Sequence, residues 1–328
     1  MRVLAGDIGG TKTAIATIEI AAGRCRILRE ERYASGEYRS LEAVLAKFLS
    51  SEKHLPAAAG FGVAGPVRDG RSRITNLPWR LDAAKLSRTI GIRRLALVND
   101  FGANARGLRY LGPGQVATLW RGRPEKGGPV AILGAGTGLG QAGVLPEAEH
   151  DVVVASEAGH VDFGPRTAQE GRLVDFLRDR FGRATRERIL SGSGLELVYE
   201  FLAAERAARP DRAVTAELAA ADDRAAVISR LGLKRKDPLS RAALDLFVSI
   251  YGSEAGNTAL QYRATGGLYV AGGIAPKILP ALRRPAFLRA LHDKAPMRAL
   301  VAGIPVRVVL DPNLGLYGAA AAALSTSG

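Results

Sequence analysis

The start of the chain alternates apolar runs and glycine in a pattern that predicts two strands joined by a tight turn. Residues 3–8 are mostly apolar, residues 9–12 contain two glycines and a threonine, and residues 14–20 are again rich in apolar side chains. The same order returns later, where the apolar residues 129–133 precede a glycine-rich segment at residues 134–140. We therefore predict two halves that begin alike.

Helix and strand patterns alternate between and after these turns. The spacing of apolar residues predicts a helix at residues 41–49, and apolar runs predict strands at residues 58–64 and 95–98. Two further strands are predicted at residues 268–271 and 306–310. This alternation is typical of an α/β fold, in which helices cover the faces of a sheet.

The repeated turn divides the chain into two predicted domains. We expect a small α/β domain from residues 1–109 and 306–328, and a large α/β domain from residues 110–305. The stretch at residues 195–246 is rich in alanine and arginine, which predicts helices that decorate the large domain. An alanine-rich helix ending near Leu324 is expected to pack back on the small domain.

Composition narrows the class of protein. Of the 328 residues, 47% are hydrophobic and 24% are charged, which is typical of a globular chain. The segment from Met1 reaches Asp7 before a signal-peptide core could form, and no later run is apolar enough for a membrane span. We therefore expect a cytoplasmic protein with no membrane partner. Cys25 is the only cysteine, which excludes an internal disulfide and a multi-cysteine zinc site.

The formal net charge of +14 raises the question of a nucleic-acid partner. The basic residues are mostly dispersed arginines interleaved with alanine and acidic residues, as around residues 203–209. This distribution favours a solvated basic surface, so no nucleic-acid partner is expected. A basic surface also suits an anionic cosubstrate.

The two glycine turns admit a structural and a functional interpretation. Glycines expose backbone N–H groups and tolerate positive φ, so such turns can hold a polyphosphate, yet a single cluster is equally typical of an ordinary hairpin. The chain contains no P-loop signature, and residues 134–140 do not fit the dinucleotide-binding pattern G-x-G-x-x-G. Two such turns in equivalent places, each with a threonine, favour a clamp on the phosphates of a nucleotide.

A carboxylate comes directly after the predicted strand at residues 95–98. Asn99 and Asp100 lie where that strand ends, and ligands of open α/β sheets bind at the carboxyl ends of strands. An aspartate in this position is also a common helix N-cap, and residues 102–108 are compatible with a helix. The spacing alone leaves both interpretations open.

The two glycine turns, at residues 7–12 and 133–140, resemble the phosphate motifs of the superfold shared by sugar kinases, actin and heat-shock chaperone ATPases. Residues 270–273 resemble the adenosine motif of the same superfold. The resemblance implies two domains of related ribonuclease H-like topology with the active-site cleft between them, in which ATP binds.

Further segments resemble the bacterial glucokinase family, and together they span nearly the whole chain. They are Asn99 with Asp100, residues 76–79, residues 156–160 and residues 187–192. The resemblance implies ATP-dependent phosphorylation of glucose at its 6-hydroxyl, the first step of glucose use in glycolysis, by a homodimeric enzyme that requires Mg²⁺. Asp100 is then the catalytic base that takes the proton of the attacking hydroxyl.

The same resemblance gives individual residues their roles. The glucose-binding residues are Asn76, Asn99, Asp100, Glu157, His160 and Glu187. The ATP-binding residues are Asp7, Gly9, Gly10, Thr11, Lys12, Gly136, Thr137, Gly138, Gly272 and Gly273. Asp7 additionally orients Mg²⁺ through water, beside the ATP phosphates. Carboxylates and an amide suit a sugar because they accept hydroxyl protons, and an imidazole can donate or accept.

The sequence departs from the bacterial glucokinase pattern in places. Lys12 stands where an amide is more usual, and residues 7–12 resemble a related repressor and kinase family, whose cysteine-rich zinc motif this chain lacks. Ser193 replaces an expected proline. The rival interpretations are a kinase for another hexose or an amino sugar and, from a different class, a sugar-sensing regulator that binds hexose without turnover.

Overall fold

The computed structural model describes residues 1–74, 77–147, 151–205 and 211–325. Within this part of the chain, no helix is both long enough and apolar enough to cross a lipid bilayer.

Strands and helices alternate along the described residues. In chain order the strands are β1 (Arg2–Ile8), β2 (Lys12–Ala21), β3 (Arg24–Ala34), β4 (Ala58–Val63), β5 (Arg71–Arg73), β6 (Arg80–Asp82), β7 (Leu95–Asn99), β8 (Val116–Trp120), β9 (Val130–Ala135), β10 (Leu139–Leu145), β11 (Val152–Ser156), β12 (Gly267–Ala271) and β13 (Val306–Val309). The α-helices are α1 (Leu41–Leu49), α2 (Ala83–Ile90), α3 (Asp100–Gly107), α4 (Ala168–Phe181), α5 (Gly192–Ala204), α6 (Arg212–Ala220), α7 (Arg224–Lys234), α8 (Pro238–Gln261), α9 (Leu279–Leu282), α10 (Pro285–His292), α11 (Arg298–Gly303) and α12 (Leu314–Ser325).

A five-stranded sheet forms the centre of the first unit. Its strand order is β3-β2-β1-β4-β7, with β1 antiparallel to β2 and parallel to β4, and β4 parallel to β7. These elements confirm the strands predicted at residues 3–8, 14–20, 58–64 and 95–98 and the helix predicted at residues 41–49. A separate two-stranded sheet pairs β5 with β6.

The second unit repeats this connectivity. The hairpin of β9 and β10 is antiparallel, β9 pairs in parallel with β12, and β12 pairs in parallel with β13. An antiparallel strand, β8, is added on the far side of β13. Because the same hairpin and parallel pairs occur in both units, the predicted pair of α/β domains with related topology is confirmed.

The boundaries of the two units differ from the expected domains. One unit comprises Met1–Gln115, Glu147–Ala155 and Asp311–Gly328, and the other comprises Val116–Pro146 and Ser156–Leu310. Residues 306–310, expected in the small domain, lie in the second unit because β13 is hydrogen bonded between β12 and β8. The expected break after residue 109 falls instead after Gln115.

Polar side chains cap the N-termini of most of the described helices. Ser40, Asp82, Thr167, Ser191 and Asp237 each accept a hydrogen bond from a backbone N–H group in the first turn of the adjoining helix. Such caps satisfy N–H groups that have no partner inside the helix.

Alternate residues of β1 face opposite sides of the first sheet. Leu4 and Ile8 join a core covered by α1 and α2, whereas Val3 and Ala5 join a core covered by α12. The C-terminal helix therefore packs on the first unit, as the sequence predicts. In the second unit α5, α7 and α8 share one large core, which agrees with the helices predicted at residues 195–246.

Glycines bring α3 and α12 very close to each other and to β4. A Cβ atom on Gly318 of α12 would overlap the carbonyl oxygen of Ala103, and one on Gly107 of α3 would overlap that of Leu314. A Cβ on Gly60 of β4 would likewise overlap the carbonyl oxygen of Ala319. The helix that starts at Asp100 is therefore fixed by direct backbone packing.

We expect Gly318→Ala to lower the free energy of unfolding by about 2–3 kcal/mol, because the added methyl group forces α12 away from α3. Denaturant unfolding of the purified protein measures this change. The matched control is Gly171→Ala in α4, where no atom beyond the adjacent residues and the backbone of the helix itself lies within 4 Å of the added Cβ. That substitution should be neutral or stabilising by up to about 1 kcal/mol, and equal effects of both variants would contradict the packing argument.

Candidate active site

The first glycine turn is a tight loop between β1 and β2, braced by a serine that no sequence motif marks. Gly9 N donates to Lys12 O at 3.0 Å, and Ser35 N donates to Thr11 O at 3.0 Å. The Ser35 hydroxyl donates to Gly9 O at 2.8 Å and lies 2.9 Å from the Thr13 hydroxyl. These bonds fix the backbone of the loop, which also carries Gly10, while the side chains of Thr11 and Lys12 remain exposed.

Asp7 lies in β1 one residue before its end, half-buried beside the start of α12. A Cβ on Gly315 would lie 3.2 Å from Asp7 Oδ2 and 3.4 Å from Asn104 Oδ1, so both side chains flank this glycine. Burial raises the pKa of Asp7, and the positive charge of Arg32 opposes the effect only in part. A cation beside this carboxylate would therefore favour its ionised form.

Magnesium fits the chemistry of this position. In the part of the chain that the structure describes, no group of three or more His, Cys, Asp and Glu side chains could hold a metal ion. Mg²⁺ in nucleotide-dependent enzymes is typically held by one or two carboxylates together with phosphate oxygens and water. A single carboxylate such as Asp7 is compatible with an ion that takes its other ligands from phosphate and water.

Asn99, and not Asp100, caps α3. The Asn99 Oδ1 atom accepts hydrogen bonds from Phe101 N at 2.9 Å and Gly102 N at 3.0 Å, and its Nδ2 donates to Gly65 O at 3.2 Å. Asp100 is the first residue of the helix, and its Oδ1 accepts from Phe101 N at 2.8 Å. The residue that caps α3 is therefore Asn99. Its hydrogen bonds hold the first turn of the helix, where Asp100, the candidate base, lies.

The second glycine turn consists of Gly136, Thr137 and Gly138, because β9 and β10 extend further than the sequence predicts. Gly136 N donates to Gly138 O at 2.8 Å and closes the loop. The Thr137 side chain is exposed. Gly192 N, at the start of α5, donates to Gly136 O at 2.9 Å. The start of α5 therefore supports the loop from one side.

The predicted adenosine motif lies against this loop. Gly272 has φ +81°, and a Cβ there would overlap the carbonyl oxygen of Ala135. A Cβ on Gly136 would lie 3.9 Å from Gly273 N. The structure thus brings together the second turn and the predicted adenosine motif, and only glycine permits the close approach at position 272.

Glu187 connects the second turn with the candidate sugar residues. Its Oε2 accepts a hydrogen bond from Leu139 N at 2.9 Å, directly after Gly138. Its Oε1 lies 3.9 Å from His160 Nδ1, and Glu187 N donates to Gly159 O at 2.9 Å. His160 belongs to a short 3-10 turn that begins after Glu157, whose carbonyl oxygen accepts from His160 N at 3.0 Å.

The described candidates fall into two groups, one in each unit. Asp7, the first turn, Asn99 and Asp100 belong to the first unit, and the second turn, the adenosine motif, Glu157, His160 and Glu187 belong to the second. Asn76, a predicted sugar ligand, lies outside the described residues. The sequence patterns indicate neither Ser35, which no local motif marks, nor the hydrogen bond from Leu139 N to Glu187, which joins residues 48 positions apart.

Comparison with known proteins identifies relatives over nearly the whole chain. A family model described as Glucokinase matches residues 4–326. The glucokinase of Nostoc sp. strain PCC 7120 is 38% identical over 333 residues, which cover 97% of each chain. The glucokinase of Synechocystis sp. strain PCC 6803 is 39% identical over 344 residues, which cover 98% of this chain and 97% of that one.

Solved structures show the same architecture. A glucokinase from an Antarctic psychrotroph has a TM-score of 0.86 at 30% identity, covering 99% of both chains. A glucokinase from Streptomyces griseus, solved with glucose and AMPPNP, has a TM-score of 0.67 at 22% identity, covering 99% of this chain and 100% of that one. At that identity the second likeness shows the shared fold alone, which is the fold of sugar kinases and actin-like ATPases.

We expect Asp7→Asn to raise the free energy of unfolding at pH 7, because it removes a carboxylate charge that partial burial disfavours. The pKa of Asp7 is higher in the folded state, so the folded protein binds more protons at this group than the unfolded chain does. The free energy of unfolding therefore falls as the pH rises through the folded-state pKa of Asp7. Urea unfolding between pH 4.5 and 8 should therefore show an advantage that shrinks toward acid.

Asp82→Asn is the matched control for this experiment. The Lys85 N–H group and Arg71 lower the pKa of Asp82, so this substitution should bring no stability gain at pH 7. A pH-independent effect of Asp7→Asn, or a loss of stability at pH 7, would contradict the argument.

Proposed function

The chain belongs to the glucokinase family, and we propose that it transfers the γ-phosphoryl group of ATP to the 6-hydroxyl of glucose. One observation carries the proposal beyond family membership. The Glu187 carboxylate accepts from Leu139 N beside the second glycine turn and faces His160. Glu187 and His160, which suit sugar hydroxyls, therefore lie next to the second glycine turn, which suits phosphates, within the same unit.

Asp100 is the proposed general base. As the glucose O6 atom attacks the γ-phosphorus, Asp100 accepts the O6 proton, a new O–P bond forms, and the bond to the β–γ bridging oxygen breaks to release ADP. Positioning and charge stabilisation supply most of the catalysis in such transfers. The cap bonds of Asn99 and the close packing of α3 on α12 hold the Asp100 backbone for this role.

Glucose hydroxyls are proposed to bind Asn99, Asp100, Glu157, His160 and Glu187, with Asn76 completing the set. Asn99 donates one amide hydrogen to Gly65 O, so its second amide hydrogen is the one suited to a sugar oxygen. A sugar of different stereochemistry would leave some of these carboxylates without a hydroxyl partner, which costs binding free energy. This set of residues therefore discriminates between stereoisomers.

The ATP phosphates are proposed to bind the N–H groups and side chains of the two turns. In the first turn these are Gly9, Gly10, Thr11 and Lys12, and in the second turn Gly136, Thr137 and Gly138. Gly272 and Gly273 would accommodate the adenosine. Asp7 would orient Mg²⁺ through water, and the ion would neutralise charge on the phosphates during transfer.

The assembly, compartment and pathway are also proposals that rest on the resemblance to bacterial glucokinases. We infer a cytoplasmic homodimer that catalyses the first step of glucose use. Sedimentation velocity of the purified protein tests the dimer, and a single monomeric species at micromolar concentration would contradict it.

We expect Asp100→Asn to retain glucose binding, because the amide is isosteric, and to lower kcat by about 10²–10⁴-fold, because the base is lost. Calorimetry measures glucose binding, and a coupled assay measures ADP release. The control is Asp82→Asn, which alters another aspartate at a helix start and should leave both quantities unchanged. Near-normal turnover by Asp100→Asn would refute its role as base.

Substrate choice is tested by ADP release with glucose, mannose, fructose, glucosamine and N-acetylated sugars, each with ATP and Mg²⁺. We expect the highest kcat/KM with glucose, and loss of turnover when EDTA removes the metal. A preference for another sugar would place the chain among kinases for that hexose. Sugar binding without ADP release from any sugar would instead indicate a regulator.

A further inference from the structure

The backbone that carries Glu187 is anchored by a buried ion pair. Arg186 Nη1 lies 2.7 Å from Glu254 Oε1, and these side chains are only 12% and 4% exposed. Glu254 lies within the 24-residue helix α8. The pair therefore connects the segment that contains Glu187 directly to the longest described helix of the second unit.

Glu254 has further partners that fix its position. Its Oε1 also accepts from Gln141 Nε2 at 2.6 Å, and its Oε2 accepts from Asn257 Nδ2 at 3.0 Å. Gln141 is fully buried in β10, two residues after Leu139. One carboxylate thus holds both Arg186 and the strand that supplies the Leu139 N–H group.

Arg186 also holds the turn that carries His160. Arg186 N donates to Val161 O at 3.0 Å, and Glu187 N donates to Gly159 O at 2.9 Å. These two bonds join residues 186 and 187 to the backbone on either side of His160. A shift of Arg186 would therefore move Glu187 and His160 relative to Leu139.

A buried ion pair contributes little net stability compared with uncharged side chains of similar volume, because both ions lose their water. Its contribution lies in fixing geometry. We propose that Arg186 and Glu254, with Gln141, are positioning residues that set Glu187 and His160 for glucose binding. This inference rests on the role of Glu187 in the proposed function.

Removing one charge is a poor test, since Arg186→Met alone leaves the Glu254 carboxylate buried without its counter-ion. The informative variant is Arg186→Met with Glu254→Gln, because it removes both charges and the new amide can still accept from Gln141. We expect its thermal unfolding midpoint to stay close to that of a matched double variant at a second buried pair. Its Kd for glucose, measured by calorimetry, should rise about 10–100-fold because Glu187 is misplaced.

The second unit offers this matched control pair. Arg166 Nη2 lies 2.7 Å from Glu170 Oε1, with the side chains 21% and 1% exposed, and Arg166 also donates to Ser249 of α8. Arg166→Met with Glu170→Gln removes a similar pair that packs on the same helix. Within the described residues, this pair makes no hydrogen bond to the segment that contains Glu187. Its glucose Kd should stay within about twofold of the wild-type value.

Arg186→Lys provides a second test that keeps the charge balance and does not depend on the double variant folding. The lysine ammonium retains the charge but not the fork of the guanidinium, so we expect a smaller rise in glucose Kd, about 3–10-fold. A wild-type glucose Kd in Arg186→Lys and in any folded double variant would overturn the positioning role.

Glu187→Gln separates the two proposals. Weakened glucose binding by Glu187→Gln together with wild-type binding by the Arg186 variants would refute the positioning role and leave the proposed sugar site intact. Wild-type glucose binding by Glu187→Gln itself would refute the sugar role of Glu187 and, with it, the positioning role.

Discussion

Parallel pairing of three strands in each unit is the constraint on which the placement of the glycine turns and of Asp100 depends. Parallel strands end at a common edge, so the residues after β1, β4 and β7 are gathered at one edge of the first sheet, and those after β9, β12 and β13 at one edge of the second. The β1–β2 hairpin of the first unit and the β9–β10 hairpin of the second put their turns at that same edge. The first glycine turn and Asp100, the proposed base, thus share an edge in the first unit.

Two ways of fixing a side chain are combined in the candidate site. Asp100 lies at the start of a regular helix, which the adjacent Asn99 caps and which glycines pack closely against α12. Glu187 lies in an irregular segment, and contacts to β10, to the turn of His160 and, through Arg186, to α8 hold it. Only the Asn99 cap uses a neighbour in sequence, whereas the packing of α3 on α12 and the contacts of Glu187 join residues far apart in the chain.

This difference explains what the sequence could predict. Alternating apolar runs located both hairpins and most strands, because strand periodicity is a local property. The domain to which β13 belongs could not be deduced from its own residues, since it is decided by hydrogen bonds to β12 and β8. The roles of Ser35 and Glu254 could not be predicted for the same reason. Ser35 bonds to Gly9, 26 residues away, and Glu254 bonds to Arg186, 68 residues away. The resemblance to bacterial glucokinases supplied the proposed role of Asp100, which spacing alone left open, and that of Glu187.

The position of α12 has a consequence for biosynthesis. The chain completes β1 to β7 early, then builds the second unit, and only afterwards returns to cover Val3, Ala5 and the rest of that apolar face. A nascent chain that has emerged only through Leu310 therefore exposes this face and lacks the support for α3. The first unit cannot be completed until the ribosome has added the returning helix, so its two faces are covered at different stages of synthesis.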